Sequence, residues 1–112
     1  MSDLLNLIVK TLDDHHASRI EVLDFTVTSP LYDYSVIASV SNQRLAHAVL
    51  MYVEEEVEKH GYPIRTVEGD DQSRWLLLDC YEVVVHIFVG EERDVYQLEK
   101  LWNDLPRVEV NV

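Results

Sequence analysis

Cationic side chains are scarce in this sequence: nine Lys and Arg stand against 21 Asp and Glu, a formal charge of -12. Affinity for free duplex or single-stranded nucleic acid rests on cationic contacts to phosphate, and this balance argues against it. It argues equally against docking on an anionic membrane. A basic partner, or simple solubility, is what such a charge favours. Cysteine is almost absent. Cys80 alone excludes an intrachain disulfide framework and a Cys-rich zinc site. With three Gly, three Pro and no repeat or low-complexity stretch, nothing reads as a linker. The opening Met-Ser-Asp-Leu-Leu has no basic flank, and Asn6 interrupts the apolar run from Leu4 to Val9. No signal peptide and no span of about 20 apolar residues is read, so a cytoplasmic location is expected.

What is present is globular. The 112 residues are 47% apolar and 27% charged, and a chain of this size forms one domain with an ordinary core. Ser2 or Asp3 caps a first helix whose Leu4, Ile8 and Leu12, with Leu5 and Val9, recur at helical spacing. Strands are expected at Ile20 to Thr26 and Tyr34 to Val40. Ser41 or Asn42 then starts a long helix with Leu45, Ala48, Val49, Tyr52, Val53 and Val57 as its buried stripe, stopped by Gly61. Ile64 to Glu68 reads as a short strand. Trp75 to Asp79 and Val83 to Val89 read as a hairpin. A last helix follows Glu91 and Glu92, with Val95, Leu98, Leu101 and Trp102 as its apolar stripe. Pro106 stops it. The domain is set at 1–106, and 107–112 is expected to be a short frayed tail. The class is α/β: a mixed sheet of about five strands packed with three helices.

Motifs for catalysis are missing. The five His include no His-Glu-x-x-His spacing, and adjacent His15 and His16 point about 100° apart on a helix, so no metal site is expected. Asp79 and Glu82 beside Cys80 would raise its thiol pKa, which suits an inert residue rather than a nucleophile. No Gly-rich phosphate loop or Gly-x-Ser-x-Gly elbow is present. Asp24 and Asp79 lie near strand ends, but no two carboxylates alternate on one strand as a two-metal site requires. His86, between Val84 and Phe88 on one strand face, reads as a histidine satisfied within the fold. No cofactor is implied.

The segment Ser73 to Asp79 is more informative. Alternation puts Trp75, Leu77 and Asp79 on one face and Leu76 and Leu78 on the other. If Leu76 and Leu78 face the helices, Trp75 and Leu77 form an apolar surface rimmed by Asp70, Asp71, Asp79 and Glu82, fit for a partner. If helices cover both faces, Trp75 belongs to the core.

Tyr32 to Ser39 (YDYSVIAS), Glu68-Gly69, Trp75-x-Leu77-Leu78-Asp79, Val83 to Phe88 (VVVHIF) and Tyr96-x-Leu98-Glu99-x-Leu101-Trp102 occur in this order. The ordered set resembles the ribosomal silencing factor family, also called Iojap-like, from the first helix to Trp102. The resemblance implies an α/β fold similar to nucleotidyltransferases without their catalytic apparatus. It implies a non-enzymatic translational repressor that binds the large ribosomal subunit through its basic ribosomal protein numbered fourteen and hinders joining of the small subunit. Organellar relatives act in large-subunit assembly, and family members are often homodimers. The resemblance tips the Trp75 face towards exposure. The partner contact is then expected from Ser73, Arg74, Trp75, Leu77 and Asp79, from Tyr81 in the turn, and from Val84 and His86 on the next strand. Large-subunit assembly is the alternative within the family. A nucleotidyltransferase-like enzyme is the rival outside it, and lacks the phosphate loop and paired carboxylates it would need.

Two positions depart from the family pattern. Val40 and Tyr81 stand where the family usually has glycine. Tyrosine adopts positive φ reluctantly, so a different hairpin turn is expected, with Tyr81 free to add an aromatic contact.

Overall fold

The computed structural model describes residues 2–109. Helix α1 spans Asp3–Asp14, and the Ser2 side chain caps it by accepting from the Leu5 N–H at 3.0 Å. Its Leu4, Leu5, Ile8, Val9 and Leu12 are buried, as the spacing requires. Strand β1 spans Ser18–Asp24. It ends two residues earlier than expected because the Asp24 carboxylate accepts from both the hydroxyl and the backbone N–H of Thr26, at 2.6 and 2.8 Å, and turns the chain. Those bonds, the hydroxyl's first, hold the Asp24 pKa below its ordinary value.

Strand β2, Tyr34–Val40, is followed by helix α2, Gln43–Lys59. Asn42 Oδ1 caps α2 by accepting from the Leu45 N–H at 2.8 Å. The buried stripe of α2 is Ala46, Val49, Leu50, Val53 and Val57. It is rotated from the expected one: Tyr52 is exposed and stacks instead on His15, with ring centroids 3.9 Å apart. Gly61, at φ +84°, ends the helix. Strands β3 (Thr66–Glu68), β4 (Trp75–Asp79) and β5 (Val83–Val89) follow. Gly69 joins the first two at φ +117°, where a Cβ would lie 2.2 Å from a Leu76 methyl.

The expected final helix is split. Gln97 adopts left-handed φ +51° between α3 (Glu92–Tyr96) and α4 (Leu98–Leu101), and neither has a side-chain cap. Leu98 is buried, but Val95 and Leu101 are exposed. The frayed tail expected after Pro106 is corrected in part: Arg107–Val108 form β6, antiparallel to β1. Residues 110–112 of that tail lie outside the described residues.

The sheet runs β3-β4-β5-β2-β1-β6. Only the central β5–β2 pair is parallel, which makes the sheet mixed. Helices α1 and α2 cover one face over the main core, which includes Ile8, Leu12, Val36, Val53, Leu76, Leu78 and Ile87. The second face carries a smaller core of Leu23, Phe25, Ile37, Phe88 and Leu98, with Tyr32, Trp75, Trp102 and Leu105 packed against it. Arg93 pins the C-terminal segment there. It is 1% exposed. A bulge between Ser18 and Glu21 turns the Arg19 carbonyl out of the ladder, and the Arg93 guanidinium donates to it. Arg93 also donates to Ser39 Oγ at 3.3 Å and pairs with Glu21 at 2.9 Å.

Among the described residues, no helix is long and apolar enough to cross a membrane.

Candidate functional site

Strand β4 alternates as its sequence predicts. Leu76 and Leu78 are buried in the main core, while Trp75, Leu77 and Asp79 are half-buried on the second face. Register sets their neighbours. Asp79 pairs with Thr66 and Leu77 with Glu68 on β3; across β5 the same residues face Val84 and His86, and Trp75 faces Phe88. Leu98, Trp102 and Leu105 cover the β1, β2 and β5 part of this face. The β3–β4 part keeps its surface: Thr66, Glu68 and Tyr81 are exposed, and Leu77 and Asp79 are half-open.

Trp75 lies at the boundary between the covered and open parts. Its ring rests on Phe88, with centroids 5.1 Å apart at 27°, and Tyr96 closes one side at 4.7 Å. Its indole N–H donates to His86 Nδ1 at 3.1 Å. The ring is neither wholly open nor sealed, so each of the two sequence alternatives holds in part. The indole N–H is already used within the chain, and only the exposed part of the ring is free to meet a partner.

His86 itself is buried, 6% exposed. Burial pulls its pKa down to about 4, so the ring is neutral near pH 7. Accepting at Nδ1 places its proton on Nε2. The reading of His86 as a histidine satisfied within the fold agrees with this geometry. Val84 is also buried. Both residues lie beneath the surface and expose little area of their own.

The other expected contacts divide. Ser73 is engaged in its own turn: its hydroxyl accepts from the Asp70 N–H at 2.9 Å and donates to the Asp70 carboxylate at 3.2 Å. Arg74 is exposed and pairs with Glu92 of α3 at 3.7 Å, so its charge is balanced locally. Asp79 accepts from the Tyr81 N–H at 2.9 Å. Tyr81, 50% exposed, adopts φ +68°. The tyrosine therefore takes, despite its Cβ, the left-handed conformation that favours glycine. Its ring meets the Arg65 guanidinium at 6.0 Å. Val40 needs no such conformation: it is a buried strand residue paired with Val89.

The acidic rim differs from the one the sequence suggested. Asp71 faces His47 of α2 at 4.0 Å, on the helical side of the sheet. Glu68, brought beside Leu77 by the β3 register, takes a place on the rim that the sequence did not reveal. Tyr96 was also missed as a neighbour of Trp75, although it opens the Tyr-x-Leu-Glu-x-Leu-Trp motif. Cys80 is buried, and its thiol is pushed up to about 12 by burial first, then by Asp79 and Glu54. Among the described residues, no three His, Cys, Asp or Glu side chains are grouped to hold a metal ion.

The family described as "Ribosomal silencing factor during starvation" matches residues 1–112. The chain belongs to the ribosomal silencing factor family. It is 35% identical over 108 residues to Ribosomal silencing factor RsfS of Halalkalibacterium halodurans, covering 96% of this chain and 92% of that one. It is 32% identical over 102 residues to the Mus musculus protein named Mitochondrial assembly of ribosomal large subunit protein 1, covering 88% of this chain and 44% of that one. A crystal structure from Bacillus halodurans superposes with TM-score 0.85 at 34% identity, over 96% of this chain and 98% of that one. The sequence resemblance and the fold thus meet in one ribosomal silencing factor architecture.

Proposed function

We propose that this member of the ribosomal silencing factor family is a non-catalytic, cytoplasmic repressor. In this reading it docks on the large ribosomal subunit through the basic ribosomal protein numbered fourteen and sterically blocks joining of the small subunit. The observation that carries the reading is the half-open strip of Trp75 and Leu77 flanked by Glu68 and Asp79. An apolar centre with an acidic rim suits a basic protein surface and repels rRNA phosphate. A standard interface of about 800 Å² per partner is within reach of a domain this size, with the strip at its centre. No bond is made or broken; the effect is occupancy.

The test is equilibrium binding of the purified chain to isolated large subunits, with subunit joining followed in the same preparation. Trp75→Ala is expected to weaken binding at least tenfold, as truncation of a central aromatic anchor does, and to relieve the block on joining. Unchanged affinity in a folded Trp75→Ala protein would overturn the site.

Large-subunit assembly is a second reading, favoured by the name of the mouse relative. Binding to large subunits without inhibition of joining would select it. Homodimerisation, which the resemblance implies, is checked by sedimentation of the free protein.

A further inference from the structure

We propose that His86 is a positioning residue for the docking indole: its Nδ1 holds the Trp75 N–H and so fixes the orientation in which the exposed part of that ring meets the partner. The inference rests on the docking reading above and names the residue that makes its central aromatic group specific.

The geometry is diagonal. Trp75 lies directly opposite Phe88, and His86 sits two residues earlier on β5, opposite Leu77. The indole lies over Phe88 and reaches along the strand to His86, with the two ring centroids 5.8 Å apart. The near-parallel contact with Phe88 and the tilted one with Tyr96, at 27° and 48°, limit the ring's movement, but an aromatic surface does not distinguish one edge of an indole from the other. A directional N–H···N bond does.

The cost of placing a histidine here supports a specific role. Strand β5 reads Val-Val-Val-His-Ile-Phe-Val and is buried along its length. An aliphatic residue would satisfy that position without desolvating a polar ring. The Trp75 N–H is the one hydrogen bond His86 makes among the described residues. Trp102 is a second aromatic neighbour, with ring centroids 6.4 Å apart. A half-exposed indole already held in one orientation loses less freedom on docking than one that swings, and that difference appears as affinity.

The experiment is a double-substitution cycle read by binding to isolated large subunits. It uses wild type, His86→Leu, Trp75→Phe and the double variant, with His86→Gln as the conservative replacement whose side-chain oxygen can accept. His86→Leu is expected to weaken binding roughly three- to tenfold, in line with the loss of one directed hydrogen bond. The same change in the Trp75→Phe background, which has no N–H to hold, is expected to have little effect. His86→Gln is expected to recover most of the loss.

A readout independent of the ribosome accompanies the cycle. Of the two indole N–H resonances, the one removed by Trp75→Phe should shift and exchange faster in His86→Leu and be largely restored in His86→Gln. Equal losses from His86→Leu in both backgrounds would mean that His86 only supports packing, and would overturn the proposal. So would an unaltered Trp75 N–H resonance. If His86→Leu fails to fold, His86→Phe, which also lacks an acceptor, against its Trp75→Phe double decides by the same comparison: coupling between the two supports the proposal and strict additivity overturns it. Full binding by Trp75→Ala would instead reject the docking face itself. Loss with Trp75→Ala but no coupling to His86 keeps the face and rejects only the positioning role.

Discussion

The Trp75 indole N–H donates to His86 Nδ1 at 3.1 Å, from a half-buried ring to a buried one. This bond requires an unprotonated Nδ1, and burial supplies that condition by lowering the His86 pKa from 6.5 to about 4. A histidine whose folded pKa lies below its unfolded value stabilises the fold above the unfolded pKa. Between pH 6.5 and 4 the unfolded chain binds the extra proton, so stability falls as pH falls through that window and levels off below it. The loss is of the order of 3 kcal/mol at its fullest. The check is urea unfolding from pH 7 to 4.5, comparing wild type with His86→Gln. Carboxylate titration is common to both proteins, so wild type should lose stability relative to His86→Gln as pH drops. Parallel curves would show that His86 contributes no pH dependence.

Arg93 ties the C-terminal segment to the bulge in β1 through the Arg19 carbonyl, Ser39 and Glu21. Removing a buried guanidinium leaves those acceptors without their donor, while Glu21 keeps 42% of its side chain in solvent and can rehydrate. Arg93→Met is therefore expected to cost about 3 kcal/mol, at the lower end for breaking a buried pair. Glu21→Gln, which can still accept a hydrogen bond, should cost about 1 kcal/mol or less. Thermal or urea unfolding of the two variants gives the comparison. Equal losses would place the stabilisation in the ion pair itself rather than in the backbone carbonyl and Ser39.

Much of this arrangement was legible in the sequence. Ser2 and Asn42 announced the helix starts because their short oxygens satisfy free N–H groups. The spans Tyr34–Val40, Trp75–Asp79 and Val83–Val89 stood out because unbroken β-prone runs end at turn residues. The phase of α2 did not, since Ala46 and Ala48 compete for the buried stripe and packing on α1 and the sheet decides. The break at Gln97 and the pairing of Arg107–Val108 with β1 depend on tertiary contacts that no local pattern encodes. At the candidate site, alternation correctly placed Trp75, Leu77 and Asp79 together. Strand register was invisible, so Glu68 and the diagonal contact to His86 were not foreseen.

Tyr81 holds φ +68° at the tip of the β4–β5 hairpin. A left-handed conformation costs a residue with a Cβ about 1–2 kcal/mol, and glycine avoids it. Glycine loses more chain entropy on folding, and the ring contact with Arg65 would also go. Tyr81→Gly is thus expected to be stabilising by a net 0.5–1 kcal/mol or so, seen as a raised unfolding midpoint. Tyr81→Ala, which keeps the Cβ and loses the ring, should be no more stable than wild type. If both variants destabilise alike, the tyrosine ring outweighs the backbone strain.

With a charge of -12, the chain should be drawn to a basic partner before any contact forms. The association rate with isolated large subunits is expected to fall as ionic strength rises from about 50 to 300 mM, because the screening length shrinks from about 14 to 6 Å. Two substitutions test whether the rim contributes locally. Glu68→Gln removes an exposed charge beside Leu77. Asp79→Asn removes a second charge but retains an oxygen to accept from the Tyr81 N–H, so the turn is preserved. Together they should slow association about two- to fivefold at low salt, flatten its salt dependence and leave dissociation nearly unchanged, the pattern expected of rim charges. A wild-type rate indifferent to salt would remove steering from the mechanism. A normal salt slope in the double variant would assign steering to the whole acidic surface rather than to this rim.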